Sequence, residues 1–222
     1  MNILIVAATE LEIAPLVHHL KANFKQLGTD IFFNDQHRVQ VLVTGVGMVA
    51  TTYHLTALLP GKSYDWVLQA GIAGAYDRRI RLGDLYWVRS EQIGDLGAED
   101  HYNFLDHFEL GLQDPDELPF RDTALINPIS EFPFEEALPS ATAITVNMVA
   151  GSDTTVEKRT KKYGCQLESM EGASLHYVCL QKNIPFLQIR AVSNYAEARD
   201  KTQWQLMESV AALNRWLIRL FS

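Results

Sequence analysis

The chain is expected to fold as one α/β domain, with a mixed central β-sheet flanked by helices. Three observations predict it. Apolar runs of strand length, such as Ile3 to Ala8 and Phe186 to Val192, read as strands buried on both faces. Helix-patterned segments follow these runs, as in an α/β sheet. Polar residues are held back to the C-terminal ends of the strands, the edge where open α/β folds bind ligands. A length of 222 residues with 47% hydrophobic content is enough for one domain with a sizeable core.

Charge and cysteine content narrow the function classes. With 27 acids against 19 bases the net charge is −8, so the electrostatic footprint of a nucleic-acid or anionic-membrane partner is missing. The apolar runs fall well short of a membrane span. Met1-Asn2 leads directly into Ile3 without a cationic region, so the N-terminus reads as a first strand and not as a signal peptide. Cys165 and Cys179 stand in no metal-binding or CxxC spacing, and a reduced, cytoplasmic protein is expected.

In chain order, Thr9 is the expected N-cap of a helix from Glu10 to His19, where Glu10 and Glu12 complement the helix dipole. That helix starts at a strand's C-terminal end, which places both acids near the expected ligand edge. Asp30 to Asn34 and His37 to Thr44 predict a hairpin around Asp35-Gln36. The second strand runs into Gly45-Val46-Gly47-Met48-Val49-Ala50 and a helix to about Leu59. This fits the G-x-G-x-x-A dinucleotide pattern, which also needs an acid at the end of the next strand. That strand, Trp66 to Gln69, ends in Gln69-Ala70, and Asp65 sits at its wrong end. The glycines are therefore read as a tight turn, and no nicotinamide or flavin cofactor is expected.

Gly71-Ile72-Ala73-Gly74 is expected to be a small-residue loop that offers backbone N–H groups to a ligand. Arg78, Arg79 and Arg81 read as a solvated charge run, and Gly83-Asp84 as a turn into a strand over Leu85 to Val88. The segment 91–140 carries Pro115, Pro119, Pro128, Pro133 and Pro139 among many acids and predicts an irregular stretch or a lid. Glu99, Asp100, His101, Asp106 and His107 invite a metal reading, but no tight ligand spacing supports it and no metal is expected. Ile144 to Asn147 resumes the sheet, and Thr154 is the expected cap of a polar helix to Tyr163. Leu167 to Asp200 then reads as strand, turn at Met170-Glu171-Gly172, helix over Ala173 to Gln181, and strand. Its two strand ends present Glu171, then Ser193 and Asn194, as halves of a small-molecule clamp. Lys201 to Leu220 closes the chain as an amphipathic helix with Trp204, Met207, Val210, Ala211 and Trp216 on its apolar side.

Six motifs in order carry a resemblance that spans nearly the whole chain. They are Ala8-Thr9-Glu10-Leu11-Glu12, Thr44-Gly45-Val46-Gly47, Gly71-Ile72-Ala73-Gly74, Gly83-Asp84, Met170-Glu171-Gly172-Ala173 and Arg190-Ala191-Val192-Ser193-Asn194. Together they resemble the nucleoside phosphorylase/nucleosidase family, and within it the hydrolytic branch. The resemblance implies a nucleoside phosphorylase-like fold, a homodimer or higher homo-oligomer, no cofactor, and hydrolysis of a purine nucleoside modified at its 5′ side. An adenine-specific nucleosidase, a phosphorylase acting on inosine and a non-catalytic nucleoside-binding protein stand as alternatives.

The resemblance also assigns roles. Glu12 matches the carboxylate that activates the attacking water, and Met170 and Glu171 match the pair that holds the ribose. Asn194 stands where adenine-specific relatives carry an aspartate that protonates N7, which points to a 6-oxopurine. Gly45, Ile72, Ala73 and Gly74 fall in the substrate-binding loops, and Trp204 matches an aromatic of the substrate pocket. Arg199, the arginine nearest in sequence to the clamp, is the candidate cation for an acidic 5′ group. Two departures stand out: Ser169 replaces a glutamate of the adenine-specific relatives, and Ile72 replaces a serine, which disfavours a phosphate site. Chemistry accounts for the residue types independently. Cleaving an N-glycosidic bond leaves positive charge on the sugar, which a carboxylate bound to the hydroxyls favours, and needs a base for the water.

Overall fold

The computed structural model describes residues 1–197 and 201–221. The strands are β1 (Asn2–Ala7), β2 (Lys25–Leu27), β3 (Ile31–Phe33), β4 (Arg38–Val43), β5 (Trp66–Ala75), β6 (Leu85–Ile93), β7 (Gly97–Asp100), β8 (Asn103–Asp106), β9 (Leu125–Ile126), β10 (Ser140–Thr145), β11 (Leu167–Ser169) and β12 (Phe186–Tyr195). The helices are α1 (Glu10–Asn23), α2 (Met48–Leu58), α3 (Asp153–Tyr163), α4 (Gly172–Lys182) and α5 (Leu206–Arg219), with a 3₁₀ turn at Lys201–Gln203. The main sheet runs β11-β10-β6-β12-β5-β1-β4-β3-β2, with β9 on β6, and mixes parallel with antiparallel pairs. β11 pairs with β10 and also, antiparallel, with β5, so β5, β12, β6, β10 and β11 close on themselves. That closure brings the end of β11 to the end of β5.

The continuous apolar run of β1 is explained by burial on both faces. Ile3, Ile5 and Ala7 pack in a cluster with α1 and α5, through Ile13, Leu16, Leu213 and Trp216. Leu4 and Val6 pack on the other face with Leu55 of α2 and Leu175 and Val178 of α4. Period two on a strand puts alternate residues on opposite faces, so every position from Ile3 to Ala7 must be apolar.

Several boundaries differ from the sequence reading. Gly71 to Gly74 is strand, not loop, because β5 continues to Ala75, and β12 likewise carries Ser193 and Asn194 within it. The cap of α3 is Ser152, whose Oγ accepts from Thr155 N–H at 3.3 Å, in place of Thr154. The closing helix begins at Leu206, so Trp204 lies between the 3₁₀ turn and α5, and Met207 is exposed while Val210, Leu213, Trp216 and Leu217 are buried. The segment 91–140 holds the end of β6, the β7–β8 hairpin and β9 among turns. Its Ile129, Phe132, Phe134 and Leu138 pack on the core, with Phe132 and Phe134 against Trp216. Each aromatic enters singly between prolines, which is why the stretch shows no periodicity. No described helix is long and apolar enough to cross a membrane.

Candidate active site

A cavity of about 360 Å³ opens at the C-terminal ends of β1, β5, β11 and β12. Its walls bring together Glu12, Ile72, Ala73, Gly74, Met170, Glu171, Asn194 and Trp204. Gly45 is not among the lining residues; with φ of 82°, and 94° at Gly47, it makes the turn that only glycine enters readily. Arg199 lies outside the described residues. The segment 91–140 contributes no lining residue.

Glu12 is the third residue of α1 and closes a capping box with Thr9. Its Oε2 accepts from Thr9 N–H at 2.9 Å and from the Thr9 hydroxyl at 3.0 Å, while Oε1 accepts from Ile72 N–H at 3.2 Å. The helix-start and site readings of Glu12 are thus compatible: the cap fixes the rotamer that delivers the carboxylate to the cavity.

Glu171 caps α4 and is 5% exposed. Its Oε1 accepts from Gly47 N–H at 3.1 Å, so the second glycine of the turn supplies a backbone donor to the clamp. Its Oε2 faces Arg190 Nη1 at 3.5 Å, within ion-pair range. Arg190 is 1% exposed; it donates to Ile72 O at 3.3 Å and Gln69 Oε1 at 3.0 Å. A Cβ on Gly71 would collide with Arg190 Nη1 and stand 2.9 Å from Glu12 Oε1. The glycine in β5 therefore makes room for the Arg190 guanidinium, which pairs with Glu171, and for the Glu12 carboxylate.

At the other end, Asn194 follows a bulge in β12, a device that re-aims side chains. Its Oδ1 accepts from Ser193 Oγ at 2.8 Å, and its Nδ2 donates to Tyr195 O at 2.9 Å. The Tyr195 carbonyl accepts only from the NH2 end, which orients the amide. One lone pair and one N–H remain for a ligand.

Sequence reasoning missed four parts of this site: Arg190, and the group Glu168, Arg159 and Tyr76. Arg190 had a signal, since it is the one charged residue in the apolar run of β12, and a buried guanidinium requires partners. Glu168 lines the cavity, 4% exposed, and accepts from Arg159 Nη1 at 2.7 Å, Tyr76 Oη at 2.5 Å and Ala150 N–H at 3.0 Å.

Beneath the clamp lies a second polar layer. Glu91 is fully buried, accepting from Gln188 Nε2 at 2.7 Å and the Thr145 hydroxyl at 3.0 Å. Burial pushes its carboxyl up to about 7. A Cβ on Gly172 would collide with Glu91 and Gln188, which explains the glycine that follows Glu171. His176, also fully buried, is pushed down to about 4 by burial and stays neutral. Among the described residues, no group of three or more His, Cys, Asp or Glu is placed to hold a metal ion.

Comparisons with known proteins give the family and the fold. A family model described as the phosphorylase superfamily matches residues 2–222, and the chain belongs to that superfamily. A futalosine hydrolase of Thermus thermophilus is 30% identical over 82% of this chain and 80% of its own length. A futalosine hydrolase of Streptomyces coelicolor is 32% identical over 70% of this chain and 64% of its own length. Among solved structures, the native futalosine hydrolase of Helicobacter pylori superimposes with a TM-score of 0.78 at 18% identity, covering 100% of this chain and 97% of that one.

Proposed function

We propose that this chain is an N-glycosidase that hydrolyses futalosine, releasing hypoxanthine and the dehypoxanthinyl sugar product, a step of menaquinone biosynthesis. The observation that carries the reading is the placement of two buried carboxylates and one oriented carboxamide around a single cavity. Glu12 accepts a proton from water as that water attacks the anomeric carbon. Glu171 accepts hydrogen bonds from the ribose hydroxyls and favours the positive charge that develops on the ring. Asn194 meets the departing base: its NH2 donates to O6, and its oxygen accepts from N7–H after N7 takes a proton from solvent, to which Glu12 returns the proton it took from the attacking water. Arg190 holds Glu171 in place from below the sheet's edge. Water suits the site as nucleophile, since phosphate would meet the Glu12 carboxylate and the apolar Ile72.

Futalosine carries a benzoate-bearing 5′ extension. Trp204, with Leu11 and Leu206 beside it in the lining, supports an aromatic and apolar wall for that group. Arg199 is the proposed partner of the benzoate. The exposed apolar side chains of Val46 in the cavity lining and of Val49 and Tyr53 on α2 support the homodimer or higher oligomer that the family resemblance implies, and a cytoplasmic location is proposed with it.

The test is hypoxanthine or adenine release from futalosine, inosine and methylthioadenosine, each with and without phosphate. Futalosine should be cleaved fastest, at a rate indifferent to phosphate. An absolute requirement for phosphate, or a preference for methylthioadenosine, would overturn the reading.

A further inference from the structure

We propose that Glu91 is a positioning residue that works as a neutral carboxylic acid, donating its proton to Gln188 and leaving the charge of Arg190 to Glu171. The inference rests on the reading above, that Glu171 holds the sugar of a nucleoside.

The hydrogen-bonding groups beneath the clamp carry it. Glu91, Gln188 and His176 are all 0% exposed. His176 Nδ1 stands 2.9 Å from Leu125 O, and a carbonyl only accepts, so Nδ1 carries the ring's hydrogen. A neutral ring then has a bare lone pair on Nε2. The Gln188 side chain reaches both His176 and Glu91, with its Nε2 2.7 Å from Glu91 Oε1. In that orientation Gln188 Oε1 and His176 Nε2 are two buried acceptors without a donor, a costly arrangement. A half-turn of the amide removes the mismatch. Its NH2 then donates to His176 Nε2, and its oxygen faces Glu91 Oε1. Two oxygens that close need a hydrogen between them, and only Glu91 can supply it. The chain now runs one way, from Glu91 through Gln188 and His176 to Leu125 O, with every member matched.

The other way to match the chain puts the proton on His176 and leaves Glu91 ionised, which separates two charges in the core. Burial opposes both halves of that state: it raises the Glu91 carboxyl to about 7 and lowers His176 to about 4, so between those values the one proton belongs to Glu91. Of the other titratable groups around Glu91, Arg190 on β12 favours its ionised form and Glu171 at the start of α4 opposes it. Cys165, ahead of β11, is pushed up to about 12 by burial and stays a thiol.

The chain is tied to the clamp. The Thr145 hydroxyl donates to Glu91 Oε2 at 3.0 Å and accepts from Ala173 N–H at 2.7 Å, in the first turn of the helix that Glu171 caps. Gly172, between them, leaves its Cβ space to Glu91 and Gln188. The start of α4 therefore rests on Glu91. An ionised Glu91 would compete with Glu171 for the single guanidinium of Arg190 and would reopen the mismatch under Gly172, shifting the clamp.

The test combines infrared spectroscopy with a pH profile. Wild type should show the carbonyl band of a neutral carboxylic acid that fades as pH rises through about 7, and Glu91→Gln should lack it. Absence of such a band from wild type would overturn the proposal, even if the variant failed to fold. Wild-type kcat/KM, followed on whichever nucleoside of the panel is cleaved, should step down about tenfold through the same pH and level off, as for a sub-ångström displacement of Glu171. Glu91→Gln, whose amide keeps a donor for Gln188 and an acceptor for Thr145 at every pH, should lose the step. Glu91→Leu supplies neither and should stay at the lower level throughout. A step that persists in Glu91→Gln, or a wild-type profile flat through that range, would overturn the positioning role. Cleavage of another nucleoside in place of futalosine, with band and step intact, would sink the substrate reading and leave Glu91 standing.

Discussion

The two ends of the cavity are built by different means. At the proposed sugar end, Glu12 and Glu171 are gripped largely by backbone: the N–H groups of Thr9, Ile72 and Gly47, with Arg190 threaded past Gly71. At the proposed base end, Asn194 is held by the Ser193 hydroxyl and by Tyr195 O, while Glu168, also in the lining, is held by the side chains of Arg159 in α3 and Tyr76 just past β5 and by Ala150 N–H. The difference matches the chemistry. Every N-glycoside passes through the same positively charged sugar, so that machinery can be welded to the backbone. The base varies between substrates, and the groups proposed to read it could be exchanged without disturbing the backbone proposed to hold the sugar.

Substitutions at the two ends should therefore fail differently. The largest effect is expected for Glu12→Gln, with kcat lowered on the order of 10²-fold or more for loss of the general base. Glutamine also completes a capping box, so thermal unfolding should shift little; a kcat near wild type would send the search for the base to Glu10. Next comes Asn194→Asp. An aspartic acid can accept from a 6-amino group and donate to N7, so kcat/KM should fall for the hypoxanthine nucleoside and rise for the adenine analogue. The ratio should move by about one to two decades, and parallel changes on both substrates would remove Asn194 from base selection. Gly71→Ala attacks the sugar end through packing. Its Cβ would displace Arg190 and crowd Glu12, and misplacement by a fraction of an ångström should lower kcat about tenfold for both bases alike.

The smallest effect on turnover is expected below the site, at Glu91→Gln. Burial raises the Glu91 carboxyl from its ordinary 4.5 to about 7, so between those values the folded chain keeps a proton that the unfolded chain has lost. Its contribution to stability is complete below pH 4.5 and is lost as pH rises through about 7. His176 works in the opposite sense: burial lowers it from 6.5 to about 4, so stability is lost as pH falls through that range. The two slopes offset each other in wild type. Glu91→Gln removes the first, so its melting temperature should rise more steeply than wild type's between pH 4.5 and 7; identical profiles would show that Glu91 does not titrate there.

The sugar end was largely legible in the sequence because its residues sit in short local patterns. A helix start beside a strand end marks Glu10 and Glu12 alike, with the family resemblance choosing Glu12, and a strand-turn-helix marks Glu171. The base end was legible only in Asn194. Glu168 gains its meaning from Tyr76, Ala150 and Arg159, which lie 92, 18 and 9 residues away, and from the antiparallel closure of β11 on β5. No local pattern encodes that closure. Glycine misled in the opposite direction: Gly71 and Gly74 read as a loop because glycine weakens strand signals, yet they are strand residues emptied for Arg190 and beside Asn194. Trp204 was placed on the cavity but on the wrong element, since the break between Gln203 and Leu206 interrupts an otherwise acceptable helical period.

The separation of chemistry from choice is tested most directly by one ratio measured in Glu12→Gln: kcat/KM for futalosine over kcat/KM for its 6-amino counterpart. The ratio should equal that of wild type even as both values fall on the order of 10²-fold. A change of about tenfold or more in the ratio, the scale expected for a residue that reads the base, would contradict the division of the cavity into two independent ends.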